Sequence, residues 1–160
     1  MGPFWTWLQE TPMIDRIGDT ALLYNTFSVL HYFSVFVMVG TTALVDLRVL
    51  GLAARRQSLA QVAKQFFPWI WTAVIVGVVS GFFEFAPTGA SFAPDHIFEM
   101  KIGAVVLAIV LALIIQMGAR KWSELPEIPM GAKLIAALSI LCWLTAILLA
   151  LDVAAISGLG

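Results

Sequence analysis

Residues 21–47, ALLYNTFSVLHYFSVFVMVGTTALVDL, carry the reading of the fold. At about 1.5 Å per helical residue the stretch exceeds the roughly 30 Å of hydrocarbon in a bilayer. Its one formal charge, Asp46, comes at the far end. The period-2 alternation of a barrel strand is absent, and a lone strand in lipid leaves its backbone groups unpaired, so the segment reads as a transmembrane helix. Three more apolar stretches follow at about 67–87, 97–119 and 131–157. The chain is therefore predicted to be all-α: a four-transmembrane-helix antiparallel bundle, a single domain over 1–160, with a short N-terminal interfacial helical segment at 1–20. Composition points the same way. Of 160 residues 61% are hydrophobic and 12% charged, against about 25% charged in an ordinary soluble domain. Such a chain calls for lipid around most of its surface.

The opening MGPFWTWLQETPMIDRIGDT lacks the basic region and unbroken apolar core of a cleavable signal peptide, and is expected to be retained. Trp5, Trp7 and Leu8 suit the headgroup boundary, where an amphipathic ring stays half wet. Thr11 and Pro12 read as the cap and first turn of a second short helix ending near Gly18. Short links at 51–66, 86–95 and 120–130 make sequential helices antiparallel neighbours. Arg48, Arg55, Arg56 and Lys64 flank the first link and Arg120, Lys121 and Lys133 the third, while only Arg16 and Lys101 fall on the other side. By the positive-inside rule the first and third links are cytoplasmic and both termini periplasmic, in a bacterial inner membrane. A net charge of −1 offers no basic surface to nucleic acid. The single Cys142, inside an apolar run, excludes an internal disulfide or Cys-rich metal site and reads as a small buried residue.

An ionisable group at mid-bilayer costs about 2.5 to 3.5 kcal/mol, so each one needs a partner or a purpose. On the first helix Tyr24, Ser28, His31, Ser34 or Val35, Met38 and Thr42 recur at steps of three and four, a polar stripe expected to face the bundle interior. His31 leaves three readings open: a neutral imidazole bonded to a neighbouring helix, an axial ligand to haem or another metal or metallocofactor, or a proton-handling group. On the second helix Gly77, Gly81 and Glu84 share a face, and the glycine spacing is the pattern that lets helices approach closely. Lys101 of the third helix lies at the same depth as Glu84, so the two are predicted to form a structural ion pair. His96 and Glu99 stand one turn apart where the third helix begins. His96 is either a solvated interfacial residue or a second haem ligand, the latter needing its ring nitrogen about 4 Å from that of His31 across the iron, from metal–nitrogen bonds near 2 Å. Asp46 and Arg48 form a polar pair at the inner end, with Arg48 snorkelling and Asp46 bonded to a neighbouring helix end. Trp143 reads as core packing, and Asp152 falls near the outer end of the fourth helix.

The run WLQETPMIDRIGDTALLYNTFSVLHYFSVFVMVGTTALVDLRVLG, with HIFEMK at 96–101, resembles a family of small bacterial four-helix inner-membrane proteins known mainly as a domain of unknown function. The likeness extends over most of the chain. It is carried by the helix-one histidine followed by DLRVLG and by the F-x-x-K at Phe98 and Lys101, so His31, Asp46, Arg48 and Lys101 match by position and His96 falls outside the pattern. The chain is also loosely similar to the membrane domains of copper-resistance and b-type cytochrome proteins, in which helix-borne histidines hold haem or metal; that likeness is one of fold. Two functions follow as expectations. One is a haem b or other metallocofactor protein for electron transfer, with His31 as ligand and His96 or a methionine as the second. The other is a non-catalytic accessory or scaffold subunit. Either implies the lipid bilayer and either further copies of the chain or other membrane subunits as partners. No nucleophile–base constellation argues for an enzyme.

Overall fold

The computed structural model describes residues 2–156, with side chains from 3 to 151; residue 157, expected to close the fourth span, and the Asp152 side chain lie outside the described residues. The described residues form helices and turns, with no strand among them: α1 (Gly2–Gln9), α2 (Pro12–Asp19), α3 (Ala21–Val49), α4 (Leu59–Phe85), α5 (Gly89–Phe92), α6 (His96–Ser123) and α7 (Met130–Ile156), with a 3-10 turn at Ala86–Thr88. Four of these, α3, α4, α6 and α7, are long and apolar enough to cross a membrane.

Local chemistry sets the helix ends. The Ser58 hydroxyl accepts from the Gln61 backbone N–H, and the Gln61 side chain accepts from the Ser58 N–H, a reciprocal capping box. It starts α4 at Leu59, well before the 67 expected from hydropathy. Residues 59–66 are amphipathic rather than apolar, and Leu59, Val62 and Ala63 are buried on one face. Gly51, at φ 75°, takes the left-handed conformation that ends α3. The Asp95 carboxylate accepts from the N–H groups of Ile97 and Phe98 and opens α6. At α2, Pro12 takes the first turn as expected, but the Thr11 hydroxyl donates back to the Leu8 carbonyl at 2.7 Å instead of capping.

Helix α3 packs along α4 and α6 along α7, giving two antiparallel hairpins whose seams, α3–α7 and α4–α6, are lighter. Helices α3 and α6 thus stand on a diagonal. Ala108, Ala112 and Ala119 of α6 and Ala132, Ala136 and Ala146 of α7 are buried at near-helical spacing, so these two helices approach closely. The outward faces carry Leu22, Phe33, Phe36, Ile75, Met117 and Leu148, all exposed, an apolar girdle suited to acyl chains.

Helices α1 and α2 fold over one end of the bundle, here the cap end; the α3–α4 and α6–α7 links form the link end. Gln9 Nε2 donates to the Pro87 carbonyl at 2.7 Å. Trp5 meets Phe85 edge-on at 5.1 Å, and Phe85 stacks on Phe98 at 4.5 Å. Trp5 is therefore turned inward, and of the two tryptophans placed by sequence at the headgroup boundary Trp7 is the one left open, 60% exposed.

Candidate functional site

The inward face of α3 carries Ser34, Met38, Thr42 and Asp46, all buried. Hydroxyls on this face and across from it are satisfied by their own helices: Ser34 Oγ donates to the His31 carbonyl at 2.7 Å, Thr42 Oγ1 to Met38 at 2.7 Å and Ser80 Oγ to Val76 at 2.6 Å. His31, half-buried, reaches across to α4, where Nδ1 lies 3.0 Å from the Gly77 carbonyl oxygen. A carbonyl only accepts, so Nδ1 carries the hydrogen, and in the neutral ring Nε2 is the nitrogen with the lone pair. Among the described residues Nε2 has no hydrogen-bond partner.

The two glycines of α4 make this contact possible. A Cβ on Gly81 would stand 2.8 Å from the His31 ring, and one on Gly77 would stand 2.9 Å from Ser34 Oγ. The small-xxx-small face is thus a seat for two α3 side chains rather than a bare backbone-on-backbone contact.

Toward the cap end the Glu84 carboxylate acts electrostatically on Tyr24, Tyr32 and Lys101. Glu84 and Lys101 are neighbours in charge, yet no ion pair at contact distance joins them among the described residues; Lys101 Nζ lies 5.9 Å from the Phe98 ring centroid. A cleft of about 980 Å³ opens at the cap end, with Glu10, Asp15, Asp19, Asp95 and Tyr24 on its walls. Its acidic rim favours cations over anions.

His96 and His31 are not brought together. His96 belongs to α6, on the diagonal from α3; its side chain is 91% exposed, with Nδ1 3.3 Å from Glu99 Oε2. Asp46 and Arg48 also diverge. Arg48 Nε donates to the Gln57 carbonyl at 2.8 Å in the link, while Asp46 is fully buried and faces Ser139 of α7. Ser139 and Trp143, one turn apart on α7, are both buried among the bundle residues. The participation of Ser139 was not read from sequence; its one available signal was a polar residue one turn from a tryptophan within an otherwise apolar stretch.

Among the described residues no group of three or more His, Cys, Asp or Glu side chains is placed to hold a metal ion. A bare ion thus lacks a protein donor set there. Haem differs, because its macrocycle brings four nitrogens and asks the protein for one or two axial ligands. His31 Nε2 would be the ring nitrogen to hold such a group, and the one-electron chemistry would be the haem's own.

Four helices of this length and apolarity, packed as two hairpins with a polar stripe inside, could span a membrane and are consistent with a multi-pass membrane protein. The chain belongs to the family of unknown function DUF6644, the match covering residues 4–153 and so α3, α4 and α6 whole and nearly all of α7. No curated protein and no solved structure matches it significantly.

Proposed function

We propose that the protein is a multi-pass subunit of a bacterial inner membrane that holds haem b on His31 and passes electrons through it. The observation that supports this reading is the His31 hydrogen bond: Nδ1–H donated to the Gly77 carbonyl fixes ring orientation and tautomer and frees Nε2, the arrangement typical of metal-bound imidazoles. Bound haem would supply one-electron transfer; the chain's own part is to orient one axial ligand and bury it between α3 and α4. The one ligand that His31 offers would be enough to hold haem, and the reading includes as partners either further copies of the chain or other membrane subunits. Protein purified from membranes in mild detergent is expected to show a Soret band that sharpens and shifts on reduction with dithionite. Colourless protein from haem-replete cells would end this reading.

A second reading, an accessory or scaffold subunit without cofactor, draws on the same residues. His31 already fills the seat at Gly81, so a packing and hydrogen-bonding role accounts for its placement without a ligand.

Either way the orientation is proposed from charge: seven basic residues at the link end against Arg16 and Lys101 at the other put the link end in the cytoplasm and both termini in the periplasm. Single cysteines at Gly2 and Ser157 are expected to react with an impermeant maleimide in intact cells, and one at Ser58 only after lysis. Reaction at Ser58 with protection at both ends would invert the topology.

A further inference from the structure

A second polar centre lies on the α3–α7 seam toward the link end. Asp46 and Ser139 are each 0% exposed, and neither carboxylate oxygen of Asp46, nor Ser139 Oγ, nor Trp143 Nε1 has a hydrogen-bond partner. Ser139 faces the carboxyl, close enough to interact with it but not aligned to bond it. Trp143 follows one turn along the same face of α7. Four orphaned polar atoms in one buried region of a well-packed bundle are unusual, since nearly all buried polar groups are paired.

The charge on Asp46 decides what the centre holds. A carboxylate buried without a counter-charge is strongly disfavoured, and such groups ordinarily become neutral instead. Arg48 of α3 is turned to the Gln57 carbonyl. Lys64 of α4 is exposed, and Arg120 of α6 is exposed beside Glu124. Lys133 of α7 lies about a turn and a half from Ser139 toward the link end, and Glu84 and Lys101 sit near the opposite end. None of these acts on Asp46. A metal cation is poorly served: two carboxylate oxygens and one hydroxyl fall short of the six or more that hard cations take.

We propose that Asp46, Ser139 and Trp143 form a buried proton-binding site in which Asp46 carries a proton at neutral pH. The step is COO⁻ + H⁺ → COOH, with no other bond made or broken. The neutral acid has one donor, its O–H, and one free acceptor, its carbonyl oxygen; Ser139 Oγ and the Trp143 N–H are the matching acceptor and donor. Thr42, Ser34 and His31 continue up α3 from this site, so it ends a ladder of polar groups inside the bundle. The proposal stands whatever His31 holds.

The test is infrared spectroscopy of the full chain in lipid vesicles at pH 7, with aspartate carboxyls labelled with carbon-13 so that glutamates are not counted. The expected result is a carbonyl stretch of an un-ionised acid that shifts with the label and in heavy water and is lost in Asp46→Asn. In Ser139→Ala the band is expected to persist at a shifted frequency. The proposal is overturned if no acid band is seen until the pH is well below neutral. It is equally overturned if replacing choline by sodium at constant pH abolishes the band, since the occupant is then a cation. Should Asp46→Asn fail to fold, the Ser139→Ala spectrum decides, and an unshifted band there removes Ser139 from the site.

Discussion

His31→Ala purified from haem-replete cells is expected to lose the Soret band completely, while His96→Ala keeps the wild-type spectrum. The asymmetry follows from placement. His31 is held by an interhelical hydrogen bond with Nε2 open, whereas His96 is solvated at the start of a diagonal helix. Loss of pigment in both variants would bring His96 to the iron, which in this arrangement requires a second copy of the chain. If both variants keep the pigment, His31 is not a ligand. Stability adds a separate readout. Truncating His31 removes one hydrogen bond, worth about 0.5 to 1.5 kcal/mol, together with the ring's packing at Gly81. If wild type is colourless, that loss of stability is the remaining signature of His31, and the scaffold reading stands.

Gly81→Ala is expected to destabilise the α3–α4 hairpin by about 1 to 3 kcal/mol, the usual cost of forcing a methyl into a filled space. The added Cβ would stand 2.8 Å from the His31 ring. The ring is rigid, and moving it aside breaks its bond to the Gly77 carbonyl. Gly103→Ala is the control, since nothing lies within 4 Å of a Cβ there; in a helix interior it should be neutral or slightly stabilising. His31→Ala combined with Gly81→Ala should recover most of the Gly81 loss, because the clash goes with the ring. The measurement is the midpoint of unfolding in detergent for the four variants. Losses that simply add would mean that residues 31 and 81 do not meet.

How much the sequence discloses depends on the kind of interaction. The spans were legible because crossing a bilayer is a property summed over some twenty residues, and α3 and α6 begin within a residue of the expected positions. The start of α4 was not, because hydropathy ignores an amphipathic first turn; Ser58 and Gln61 at capping-box spacing were the available signal. Gly77 and Gly81 correctly marked a close approach, but which side chains fill it depends on the rotation of α3 about its axis. Glu84 and Lys101 share a depth, yet depth does not set lateral distance, and α4 and α6 touch only lightly. The meeting of Asp46 with Ser139 joins the first long helix to the last, a pairing that no local pattern encodes.

In mechanical terms the two hairpins are leaves of a hinge, and the cap end is its pin. Gln9 on the Pro87 carbonyl, together with the Trp5–Phe85–Phe98 stack, latches the one connection that passes from leaf to leaf. At the far end the leaves are held differently: the Ala60 N–H donates to Ser123 Oγ at 2.8 Å from one leaf to the other, and Val49, Leu59, Ile115, Ala119 and Ala136 share one buried core. A splaying load therefore meets resistance at both ends, and water reaches the fully buried Asp46 only when the core at the link end parts.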